Sequence, residues 1–122
     1  MRGEKRILII EPEETQRHGL AVALAGQDRR ILESANPSNG LVKVSNERVD
    51  FVLTEIRFPS EDGLTALSRL INRVHPSRIV VIAASLDDHV CDALSHLGIQ
   101  HIFEKPVSGE QIEMIQQFIN QI

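Results

Sequence analysis

A single cysteine, no long apolar run and no concentration of basic residues set the first limits on what this chain can be. Cys91 has no second cysteine with which to form an internal disulfide or a cysteine-based metal site, so it reads as a small helix residue without a role. The first apolar stretch, Ile7 to Ile10, falls far short of the roughly eighteen residues of a membrane span. Nor does the opening show the charged, apolar and small-residue succession of a signal peptide, so the expected compartment is the cytoplasm. A formal charge of -4 argues against a nucleic-acid surface, which needs clustered Lys and Arg to displace counterions from phosphates. Arg69, Arg73 and Arg78 come nearest to a basic patch and read as solvated surface charge.

What the chain does contain is a soluble-protein balance of 42% hydrophobic and 25% charged residues in 122 positions, enough for one continuous core. One domain over residues 1–122 is the expectation. Short Ile- and Val-rich runs alternate with segments of helical periodicity, as in a parallel sheet covered on both faces. The predicted strands are Arg6 to Ile10, a weaker one at Arg30 to Glu33, then Asp50 to Thr54, Arg78 to Ala84 and His101 to Phe103. Helices are expected from Glu14 to Ala25 with a stop at Gly26, from Pro37 to Asn46, and from Asp62-Gly63 to near Pro76 along Leu64, Leu67, Leu70, Ile71 and Val74. Two more follow: Asp87 to His96, with Ser85 as cap and Gly98 as stop, and a last one on Ile112, Ile115, Ile119 and Ile122, opened by a capping box of Ser108 and Gln111.

Strand and helix five times over folds as a doubly wound α/β sheet, whose chemistry gathers outside the carboxyl ends of the strands. Those ends carry Glu11, Pro12, Glu13 and Glu14; then Glu55; then Ala83, Ala84 and Ser85; then Glu104, Lys105 and Pro106. No glycine-rich phosphate loop follows the first strand and no nucleophile elbow surrounds Ser85. His18, His75, His89, His96 and His101 lack a ligand spacing, and His89 with His96 reads as polar helix surface. An enzyme is therefore not expected.

The segment Asp50-Phe-Val-Leu-Thr-Glu-Ile-Arg-Phe-Pro-Ser-Glu-Asp-Gly-Leu64 resembles the central block of response-regulator receiver domains of bacterial two-component phosphorelays, and Lys105-Pro106 after Phe103-Glu104 resembles their terminal lysine-proline. The resemblance runs from Arg6 to the last helix. It implies a flavodoxin-like (βα)5 three-layer sandwich with five parallel strands in the order 2-1-3-4-5, and a cis bond before Pro106. It also implies a phosphoacceptor after the third strand and two acidic magnesium ligands after the first.

At each of these places the sequence departs from the family pattern. Glu55 stands at the phosphoacceptor position, and Glu11 and Pro12 replace the acidic pair, so that one ligand has no side-chain oxygen. The hydroxyl that would bond an incoming phosphoryl falls at Ala83, and the aromatic that would swing inward on activation falls at Ile102, which is β-branched and stiff. Only Lys105 clearly remains, with Arg57 nearby. Magnesium needs near-ideal oxygen geometry from few carboxylates, so its binding is expected to be weak or absent, and no other cofactor is expected.

These departures make a pseudo-receiver: a phosphorylation-independent module that docks a protein partner, whether a kinase, an effector or an attached output domain. The resemblance implies that docking, or homodimer formation, uses the face of the fourth helix, fifth strand and fifth helix. His89, Asp92, His96, His101, Glu110 and Gln117 are its candidate exposed positions. The alternative is a slow phosphoacceptor that uses Glu55, with Glu11 or Glu13 holding a weakly bound metal. Because a glutamate carries its carboxylate about 1.5 Å further out than an aspartate, Glu55 paired with Lys105 could also imitate a phosphorylated residue. A flavin- or nucleotide-binding domain of the same sheet topology remains a third reading.

Overall fold

A computed structural model of the chain describes residues 3–122. Five strands, β1 (Lys5–Ile10), β2 (Arg29–Ser34), β3 (Phe51–Thr54), β4 (Ile79–Ala83) and β5 (His101–Glu104), form one sheet in the order β2-β1-β3-β4-β5. All four pairings are parallel, as the buried Ile and Val runs require. The crossovers are α1 (Glu14–Leu24), α2 (Pro37–Asn46), α3 (Gly63–Leu70) and α4 (Asp88–His96), and α5 (Gly109–Asn120) closes the chain.

Strand side chains alternate between two cores, one on each face of the sheet. Leu8, Ile10, Val52, Val81 and Ala83 point to the side where α3 and α4 contribute Leu67, Leu70, Val90 and Leu94. Ile7, Ile9, Phe51, Leu53, Val80 and Ile82 point to the other, against Ala21 and Leu24 of α1 and Ile115 and Ile119 of α5. Most of these side chains are fully buried. At about 25 cal/mol per Å2 of apolar surface, this double core is the main source of stability.

The helix ends follow the local chemistry. Glu13 caps α1, its carboxylate accepting from the Thr15 and Gln16 amides. Ser108 and Gln111 form the expected reciprocal capping box of α5. The cap of α4 is Asp87, which accepts from the Val90 amide, and not Ser85: only Asp87 sits at the spacing that reaches an unpaired amide of the first turn. At the other end Gly98 adopts φ +84, the left-handed conformation that stops a helix. By contrast α1 ends at Leu24 on an extended Ala25, and Gly26 is not left-handed. The third helix is regular only to Leu70, after which turns and a 3-10 segment at Pro76–Arg78 carry the chain to β4.

Gly63 opens α3 where the chain folds back on itself, with Asp62 bridged to Arg57. A β-carbon at Gly63 would lie 2.0 Å from the carbonyl oxygen of Ile56, so only glycine fits. This close approach fixes the loop after β3, and with it Glu55. No helix among the described residues is long and apolar enough to cross a membrane.

Candidate functional site

The strand order reverses at β1, so the chain leaves β1 toward one edge of the sheet and resumes at β3 toward the other. That divergence opens a crevice at the carboxyl ends of the strands. Backbone bonding continues one residue past each strand and holds the next residue at the rim. The Glu11 amide donates to the Ser34 carbonyl at 3.0 Å, that of Glu55 to Ile10 at 2.9 Å, and that of Lys105 to Ala83 at 2.8 Å. Three charged side chains from distant parts of the sequence are thereby brought together.

Lys105 lies between two carboxylates. Its Nζ contacts Oε1 of Glu55 at 2.9 Å and forms a second ion pair with Oε1 of Glu11. The carboxylates are buried, with Glu11 2% and Glu55 5% exposed. Buried charges persist only when paired and hydrogen-bonded, and both conditions hold here. Oε2 of Glu11 accepts the Glu13 amide at 2.9 Å. Oε2 of Glu55 accepts the Ile56 amide at 2.7 Å and the Arg57 amide at 3.2 Å, while its Oε1 accepts the Ala84 amide at 3.2 Å. Burial alone would lower the Lys105 ammonium, but the bonds and charges of Glu11 and Glu55 outweigh it and hold the group above its ordinary value of 10.5.

Other residues singled out in the sequence take different places. Pro12 is half-buried beside Glu11, and Ala83 is fully buried at the end of β4. Arg57 offers its amide to Glu55 while its side chain is exposed, so the guanidinium is not a pocket cation. Glu13 spends both carboxylate oxygens on the cap of α1. Ile102 is half-buried and packs against the core on the α4 side of the sheet. The Lys105–Pro106 bond is cis. Sequence reading missed the amide of Ala84, because a backbone donor has no residue-type signature; its position depends on the β3–β4 register.

The stem of Lys105 also lines an open groove of about 690 Å3 between α1 and α5, together with Leu20, Ile82, Val107 and Ile112. His101 of β5 stacks on Phe118 of α5 with ring centroids 4.0 Å apart. His89, Asp92, His96, Glu110 and Gln117 are exposed, whereas His101 is half-buried by that stacking. His96 donates through Nδ1 to the Asp92 carbonyl at 2.8 Å, and His75 caps the 3-10 turn through Ser77.

Comparison with known proteins agrees with this architecture. The chain is 28% identical over 109 residues to Protein PilH of Pseudomonas aeruginosa, covering 88% of this chain and 90% of that protein. It is 31% identical over 110 residues to the positive alginate biosynthesis regulatory protein of the same organism, covering 87% of this chain but only 43% of that longer protein. Among solved structures, a CheY-like receiver domain protein from Methanospirillum hungatei superposes with a TM-score of 0.86 over 98% of this chain and 96% of its own, at 20% identity. Residues 7–117 match the response regulator receiver domain family, and the chain belongs to that family.

Proposed function

We propose that this receiver domain is a pseudo-receiver, which acts by docking another protein and does so without phosphoryl transfer or bound metal. The observation that carries the reading is the ion network at the strand ends. Glu11 and Glu55, the two carboxylates that could hold a metal or accept a phosphoryl group, are both turned onto Lys105. Their remaining oxygens are taken up by backbone amides, and Pro12 supplies no side-chain ligand. These residues do not fit magnesium, which asks for an octahedral set of oxygens free to turn toward it. The rival arrangement, with Glu13 as ligand, would break the cap of α1.

Phosphoryl transfer depends on positioning and on charge stabilisation by metal and cation. Here Ala83 brings no hydroxyl to the phosphoryl oxygens, and Lys105 is already neutralised by its two partners. We therefore assign no enzymatic role to the domain.

Receiver domains in two-component systems interact with kinases and effector domains, and for this chain we assign the α4–β5–α5 face as the docking surface. Met114 is 44% exposed on α5, close in sequence to the half-buried Phe118 that stacks on His101. The exposed Asp92, Glu110 and Gln117 supply polar positions on the same two helices. An apolar centre with a polar rim is the composition of a protein interface.

Incubation with a small-molecule phosphodonor and magnesium, followed by intact-mass measurement, tests the reading. The expected product is unmodified protein. A stable adduct of one phosphoryl group on Glu55 would establish the slow phosphoacceptor instead.

A further inference from the structure

We propose that the groove between α1 and α5 is a binding site for a small, uncharged, apolar molecule that carries a carbonyl or similar hydrogen-bond acceptor. This goes beyond the docking role and is independent of phosphoryl chemistry. The groove owes its space to small residues on one face of α1. Gly19 and Ala23 both line it, one helical turn apart, and a β-carbon built at Gly19 meets nothing within 4 Å. Leu20 of α1, Ile112 of α5, Ile82 of β4, and Pro106 with Val107 supply the apolar walls. A volume of about 690 Å3, apolar apart from Gln16 and Lys105, lies within the range of about 300–1,000 Å3 typical of small-ligand sites.

The far end of the groove is closed, which favours a compact occupant over a helix lying along the cleft. Gln116 of α5 donates through Nε2 to the Ala23 carbonyl at 2.8 Å and so joins the two helices directly. Arg29 holds that junction, its Nη1 donating to the Gln116 side-chain oxygen and, at 3.0 Å, to the Leu24 carbonyl. An α-helix with its side chains is about 10–12 Å across and does not pass such a contact. At the other end Lys105 sets the chemistry of the occupant. An ammonium has three N–H donors, and Glu11 and Glu55 engage two of them. The third is free for an acceptor in the groove, where the Lys105 side chain is 18% exposed. Two carboxylates against one ammonium leave surplus negative charge that repels an anion, while the ammonium itself repels a cation. A neutral acceptor meets neither penalty. The Gln16 amide, also in the lining, can donate or accept and adds a second polar contact.

The test uses prodan, a neutral naphthalene ketone whose emission moves to the blue in apolar surroundings, with anilinonaphthalenesulfonate as an anion of similar size. The wild-type chain is expected to bind prodan saturably, with amide shifts gathered at Gly19, Ala23, Val107 and Ile112. The sulfonate, and dimethylaminonaphthalene, which lacks the carbonyl, should each bind several-fold more weakly. Gly19→Leu, which fills the groove from a position with free space, should abolish binding. Should that variant not fold, Ala23→Leu gives the same comparison. The proposal is overturned by a wild-type chain without saturable binding, by equal affinity for either comparison probe, or by unchanged binding in a folded groove-filling variant. Shifts of the same amides with chain concentration, in the absence of probe, would assign the groove to a second copy of the chain and overturn it likewise.

Discussion

Replacing Lys105 by methionine keeps most of the stem's apolar packing and removes the one charge that compensates two buried carboxylates. Glu11 and Glu55 side chains are 3% and 4% exposed, so neither recovers much hydration when the ammonium is gone. Removing one partner of a buried ion pair typically costs about 3–5 kcal/mol. Because Lys105 itself is partly exposed, and water can enter through the adjoining groove, the expected loss is about 2–4 kcal/mol. With a urea m-value of about 1–3 kcal/mol/M for a domain of this size, the midpoint should fall by about 1–2 M. Adding Glu55→Gln should recover part of the loss at neutral pH. A loss under about 0.5 kcal/mol would place the three charges in solvent and refute the reasoning.

The same glycine-to-alanine exchange should have opposite effects at two sites. Gly63→Ala meets the Ile56 carbonyl oxygen at 2.0 Å and is expected to destabilise by about 3 kcal/mol or more. Gly19→Ala, inside α1 with nothing within 4 Å of the new carbon, should stabilise by about 0.5–1 kcal/mol; chemical denaturation checks both. Ser108→Ala removes the capping box of α5 and should cost about 1 kcal/mol, seen as a fall of about 3–5 °C in thermal midpoint. Finally, the raised Lys105 value means that its contribution is complete below 10.5 and lost as pH rises through the folded value. Denaturation followed into that alkaline range should show a steeper fall for the native chain than for Lys105→Met.

Much of the architecture was legible because its signals are local. The Ile and Val runs marked the strands, Leu67, Leu70 and Val74 marked one buried face after Asp62-Gly63, and Ser108 with Gln111 marked the start of α5. Boundaries drifted where two residues could serve one purpose. Asp87 displaced Ser85 as a cap, and Ala25 turned the chain out of α1 before Gly26 was reached. In the pocket, Glu11, Glu55 and Lys105 were identifiable from their places after the strands, but their distribution of bonds was not. That Glu55 spans the Ile56 and Ala84 amides depends on the pairing of β3 with β4, a long-range register that no residue type announces. Arg57 illustrates the converse, since a charge two residues after Glu55 in sequence is exposed and forms no ion pair with it in the fold.

In the proposed pseudo-receiver, Glu11 and Glu55 are both committed to Lys105 and neither is free to turn toward a divalent cation. Titrating the wild-type chain with magnesium chloride against a matched sodium chloride control, and following the amides of Glu11, Glu55 and Ala84, measures this directly. The expected shifts are no larger than those of the sodium control. Saturable, magnesium-specific shifts confined to those residues would contradict it.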